Sequence, residues 1–229
     1  MTGFDIVRDL PAALHDREAA WTYVRGFAAH WGVPLGPGDG TPGPDLDAAE
    51  DALGVRLPAA LREAYALFGR RPDLHANLHG LLAPEDFYLH AGGVVFREEN
   101  QGVATWGVLV ADLAGGGTAA ADPPVRMSID DGPWEPWYDS FSVACLEIVL
   151  SEATQAGELC DHRDLDDGDD DLARRFTRVP LPFPGDEVAF YTALGVLLCD
   201  DGAMLSVRAR DQETLDRFRD DHPGPWLNG

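Results

Sequence analysis

The chain has 229 residues, long enough to bury an apolar core without covalent staples, and it sets 17 basic against 40 acidic side chains for a formal net charge of -23. Such a surface repels nucleic acid and anionic membranes, whose binding rests on cationic side chains, and it steers a basic protein inward. Every basic residue is arginine, which excludes Schiff-base lysines, phosphate-loop lysines and Ser-Lys dyads.

The first ten residues carry acids where a secretory signal has a basic region and an apolar run, so no signal peptide is expected. No stretch reaches the roughly twenty apolar residues of a membrane span. Cys145, Cys160 and Cys199 are odd in number and form no Cys-x-x-Cys pair, which reads as reduced thiols and a cytoplasmic setting.

Residues 15–31 place Ala20, Trp21, Val24, Phe27, Ala28 and Trp31 at helical spacing, with Asp16 as N-cap and Gly32 as stop. The Gly- and Pro-rich residues 36–44 read as a linker. Two helices are predicted next. One runs over residues 46–53 and ends at Gly54; the other opens at Leu57-Pro58 and buries Leu61, Ala64, Tyr65 and Phe68. Residues 70–91 read as a long irregular connection anchored by Leu81, Leu82, Phe87 and Leu89.

Residues 94–110 predict a central hairpin: Val94, Val95 and Phe96 on one strand, Thr105, Trp106, Val108 and Val110 on the other, and a polar turn from Glu98 to Gly102. The turn either offers a recognition surface or satisfies its own backbone. Gly115-Gly116-Gly117 is a flexible turn without a phosphate-loop pattern. A strand follows over residues 124–129. Trp134, Trp137, Tyr138 and Phe141 then form an aromatic cluster, read as core or as a protein-binding edge, before a helix capped by Ser140 or Ser142 and running to Ala153.

From residue 158 to 171 the acids crowd together against Arg163 alone, which predicts a solvated loop; Gly168 is out of register for a calcium loop. The tail predicts strands at 188–191 and 195–199, a turn at Asp200-Asp201-Gly202, a return strand at 203–209, and a helix capped by Asp211 that carries Leu215 and Phe218.

The run Phe96-Arg97-Glu98-Glu99-Asn100-Gln101-Gly102, followed by Trp106-Gly107, resembles the middle of the SUKH superfamily, also called the SMI1/KNR4 family. Three segments agree with it in order: residues 50–58 with Leu61 and Tyr65, then Leu82-Ala83-Pro84, then Asp122-Pro123-Pro124-Val125. The resemblance covers about residues 45–155. It implies an α+β domain without known catalytic activity. Bacterial members are mostly immunity proteins that bind and neutralise a toxin, and some fungal members are intracellular regulators acting through protein contacts.

Catalytic patterns are weak. His75 and His79 stand four apart, as zinc ligands on a helix do, but lack the metalloprotease Glu, and Asn77 and Gly80 oppose a long helix. Acids around Cys160 and His162 oppose a thiolate, and there is no Gly-x-Ser-x-Gly elbow.

The expectation is therefore a non-enzymatic α+β protein with a SUKH-like mixed sheet flanked by helices. Residues 1–44 add an N-terminal helix and linker, residues 45–155 form the core, and residues 156–229 bring an acidic loop, a hairpin and a helix packed on that core. It is expected to bind a basic protein, most plausibly a toxin such as a nuclease, and no cofactor, metal, nucleic acid or membrane. The expected contacts are Glu98, Glu99, Asn100 and Gln101, with Asp161, Asp164, Asp166, Asp167, Asp169, Asp170 and Asp171. The alternatives are a regulatory or scaffold protein with several weak partners and a metal-assisted hydrolase using the acidic run or His75 and His79.

Overall fold

The computed structural model describes residues 3–155, 157–165, 172–185 and 188–228. A short α1 (Leu10–Ala13) turns the chain into α2 (Arg17–Trp31), where the Asp16 carboxylate accepts the Ala19 N–H at 2.7 Å and the predicted apolar face is buried. α3 (Gly43–Leu53) ends at Gly54 with a φ of 67°, the left-handed stop that glycine adopts without penalty. α4 (Ala59–Phe68) buries Leu61, Ala64, Tyr65 and Phe68, with Pro58 at its N-cap rather than inside its first turn.

Residues 36–44 are not a free linker. The Thr41 N–H donates to the Tyr65 carbonyl at 2.8 Å, and a Cβ added to Gly40 would fall 1.8 Å from the Ala66 carbonyl oxygen. Glycine here serves close backbone packing. The connection from 70 to 91 likewise holds α5 (Pro72–His75), β1 (Gly80–Leu81), a 3-10 turn (Pro84–Asp86) and β2 (Tyr88–His90), all too short to show a period.

The expected hairpin is β3 (Gly93–Glu98) and β4 (Ala104–Leu109). After α6 (Val110–Leu113) and α7 (Gly117–Ala121), β5 (Val125–Ile129) and β6 (Glu135–Tyr138) complete an antiparallel sheet in the order β1-β3-β4-β5-β6, with β2 also on β3. The pairing of β3 with β4 shifts between Val95 and Arg97, leaving Phe96 as the extra residue of a β-bulge. In consequence two successive side chains, Phe96 and Arg97, both reach the next helix.

That helix, α8 (Phe141–Ala153), starts from Ser140, whose hydroxyl accepts the Val143 N–H. Every residue from 141 to 150 is buried, so it has no polar stripe. It lies between the first sheet and a second one. The second is built from β7 (Cys160–Asp164), a short α9 (Leu172–Arg175), β8 (Thr177–Arg178), β9 (Ala189–Ala193), β10 (Val196–Asp200) and β11 (Met204–Ala209), in the order β7-β11-β10-β9-β8, also antiparallel throughout.

Strand period decides how the second sheet packs. Leu197 and Cys199 of β10 join the main core with α2, α4, α8 and the first sheet, while Val196 and Leu198 pack with Leu215 and Phe218 of α10 (Gln212–Asp221). The fold is α+β, as expected. Among the described residues the single mixed sheet is replaced by two antiparallel ones, because the C-terminal hairpin pairs with β7 and β9 instead of reaching the first sheet.

Candidate functional site

The turn between β3 and β4 stands over a buried ionic cluster. Arg97, displaced inward by the bulge, donates from Nη1 to Glu147 Oε2 at 3.1 Å and from Nη2 to Glu152 Oε1 at 2.8 Å, with its guanidinium 4.7 Å from the centre of the Trp106 ring. The Ser151 hydroxyl donates to the remaining oxygen of Glu147. Glu152 Oε2 accepts the backbone N–H groups of Asn77 and Leu78, each at 2.7 Å, and Oε1 accepts that of His79 at 3.1 Å. Two carboxylates thus share one arginine, and the surplus charge is met by N–H groups of an irregular segment.

The predicted contact residues divide sharply. Glu98 accepts the Tyr88 hydroxyl at 2.8 Å; burial, helped by this carboxylate, pushes that phenol up to about 12. Glu99 is turned back on its own loop, accepting the N–H groups of Gln101 at 2.8 Å and Val103 at 3.2 Å. Asn100 and Gln101 are exposed. The Asn100 N–H meets Nδ1 of His79 at 3.4 Å, and the His79 ring, 5.6 Å from that of Trp106, is held below its ordinary pKa by burial and by Arg97.

Asp161 is not a surface contact. It is fully buried in β7, accepts Arg219 Nε at 2.7 Å and the Asn228 N–H at 2.9 Å, and so belongs to the interior of the second sheet. Asp164 is exposed at the end of the same strand. Asp166, Asp167, Asp169, Asp170 and Asp171 lie outside the described residues.

Sequence reasoning missed the residues that flank the turn. The β5–β6 connection passes through Asp130 and Asp131, with φ of 50° and 55°, and closes with the Gly132 N–H on the Ile129 carbonyl at 2.8 Å. The Asp130 N–H donates to the Val103 carbonyl at 2.8 Å, which joins this turn to the first. Leu78, Val103 and Ile129, exposed by 39, 45 and 51%, therefore share one end of the first sheet with Asn100, Gln101 and two solvent-facing aspartates. Asp-Asp-Gly after a strand was the available signal, since aspartate tolerates the left-handed region.

His75 ends α5 and is buried near Phe68, whereas His79 lies beyond that helix, so the two imidazoles do not form a helical pair. Among the described residues no group of three or more His, Cys, Asp or Glu side chains is arranged to hold a metal ion. Cys160 Sγ turns to the Ala153 carbonyl and His162 Nδ1 lies 2.9 Å from the Ser206 hydroxyl, so thiol and imidazole have separate partners. Burial pushes the Cys145 and Cys199 thiols up, away from the thiolate.

A cleft of about 680 Å³ opens beside the starts of α2 and α8, between Leu14, Trp137 and Phe183, with Asp122 and Asp139 at its sides. The Asp122 carboxylate there is occupied by the N–H and hydroxyl of Ser142, at 2.9 and 2.6 Å. Among the described residues no helix is long and apolar enough to cross a membrane. Comparison of the chain with protein-family models, with curated proteins and with solved structures finds no match in any of the three.

Proposed function

We propose that this chain is a non-catalytic protein-binding domain of the SUKH type that captures a basic protein, in the manner of an immunity protein neutralising a toxin such as a nuclease. The observation that carries the proposal is the surface at the turn end of the first sheet. Arg97 of β3 is spent on Glu147 and Glu152 inside the fold, while Asp130 and Asp131 face solvent around the apolar trio Leu78, Val103 and Ile129. An apolar centre with an acidic rim is suited to a cationic protein: the rim accelerates encounter, and the centre excludes water once contact is made. Asn100 and Gln101 supply adaptable hydrogen bonds at its edge.

The test is to retrieve partners on immobilised protein from a lysate of the source organism at low and near-physiological salt, and to assay the activity of what is retained. One basic protein held in equal amount at both salts, and inhibited on binding, supports the proposal. In that complex Asp130→Asn with Asp131→Asn should slow association, and Val103→Ser with Ile129→Ser should speed dissociation. A diffuse set of proteins that vanishes with salt overturns it and favours a scaffold with weak partners.

A further inference from the structure

The cleft beside the starts of α2 and α8 is walled largely by groups that accept rather than donate. Its volume of about 680 Å³ suits a short peptide or a small organic molecule. Trp137 stands in the wall with two rings set across it, Phe183 at 5.4 Å and 80° and Tyr138 at 6.0 Å and 90°. Rings at right angles offer their π faces to a cation from more than one side. Pro182 and Pro184 flank Phe183 in the same wall, and neither has an N–H to donate.

Charge agrees with the rings. Asp16, Asp122 and Asp139 all line the cleft. Asp16 caps α2 and Asp122 holds Ser142, whereas Asp139 is exposed, between the aromatic pair and the start of α8. Among the described residues of the lining only Arg17 carries a fixed positive charge, and it is already paired with Glu63, at 2.8 Å from Nε to Oε2. Tyr138 is 6% exposed, and among the described residues its hydroxyl has no hydrogen-bond partner, a group that an entering donor would satisfy.

The cleft lies by the start of β5 and the end of β6, at the opposite end of those strands from Asp130 and Asp131. On the reading that the partner is a basic protein, we infer that this cleft is its second anchor and receives an arginine side chain, the guanidinium against Trp137 and Phe183 with its N–H groups turned to Asp139. Arginine suits the site better than lysine, because a guanidinium is planar, weakly hydrated and able to stack on a ring while pairing with a carboxylate.

The test is titration of the full chain with a capped Gly-Arg-Gly peptide and with its citrulline counterpart, which keeps the shape and loses the charge. The readout is the Trp137 indole N–H resonance, assigned with Trp137→Phe. The arginine peptide should shift that resonance, and affinity should fall about tenfold or more with citrulline or with Asp139→Asn. Asp164→Asn, a neutralisation outside the cleft, should leave it unchanged. A Trp137 resonance that does not move overturns the site, and so does a citrulline peptide that binds as tightly. Equal losses from Asp139→Asn and Asp164→Asn also overturn it, since they mark attraction to the net charge alone. The peptide stands in for the partner, so failure here removes the second anchor, while capture at the turn end is read separately by partner retrieval.

Discussion

Arg97 and Glu152 meet at 2.8 Å in an interior where neither side chain is more than 2% exposed. Removing the arginine alone strands two carboxylates away from water. Arg97→Met should therefore cost about 3–5 kcal/mol, read from urea unfolding. Adding Glu147→Gln and Glu152→Gln to the same chain should recover part of that loss, because the stranded charges disappear with the cation. A mild loss from Arg97→Met alone would show the pair to be solvated.

The β3–β4 turn should separate folding from recognition. Glu99→Ala removes the acceptor of two backbone N–H groups and is expected to cost about 1 kcal/mol, whereas Asn100→Ala and Gln101→Ala should leave the thermal midpoint unchanged. Asp161→Asn should behave as a core lesion, lowering stability through Arg219 and leaving the rate of partner capture alone. Asp164→Asn should do neither.

Trp134 lies over two glycines of the first sheet, and they should respond differently. The nearest atoms to a Cβ at Gly93 belong to the Trp134 ring, at 2.7 Å, while one at Gly107 would meet both that ring and the Val94 carbonyl oxygen at 2.8 Å. Each alanine substitution should cost about 1–3 kcal/mol through overpacking. In a Trp134→Ala background the cost of Gly93→Ala should vanish and that of Gly107→Ala should persist, which a double-mutant cycle by denaturant unfolding measures directly.

Acidification should weaken the fold from near-neutral pH downward. Burial is the leading cause that holds His30, His75, His79, His162 and His222 below their ordinary pKa. Above about 6.5 these rings are neutral in both states and contribute no pH dependence; below it the unfolded chain takes up protons that the folded rings resist, so stability falls. Thermal midpoints from pH 7 to pH 5 should decline, and His79→Gln should flatten the slope. Protonation of His79 in the folded chain, which comes below its ordinary range, removes the acceptor facing the Asn100 N–H, so the protection of that amide relative to its free-peptide exchange rate should fall there.

Much of this fold is legible locally. Residues 15–31 announce a helix through the spacing of Trp21, Val24, Phe27 and Trp31, and Asp200-Asp201-Gly202 announces the last hairpin. β7 is hidden because Cys160-Asp161-His162-Arg163-Asp164 reads as part of an acidic loop; the strand forms since Arg219, 58 residues away, neutralises Asp161 inside it. The buried cluster is hidden for a related reason: Arg97, Glu147 and Glu152 each look like surface residues until α8 is enclosed on both sides. The glutamates nearest the turn were visible as polar residues, but which of them is free depends on Tyr88 and on the backbone of Val103, and no local pattern carries that.

The arginine at position 208 extends from β11 to two helices, donating to the Trp31 carbonyl at 2.6 Å and to the Ala153 carbonyl at 3.1 Å. The first of these bonds spans 177 residues. During synthesis, α2 therefore emerges long before the strand that secures its end, and α8 appears with no sheet on its second side. Both must wait at the ribosome with apolar surface uncovered, in a chain whose strong negative charge keeps nascent copies apart until the last strands arrive.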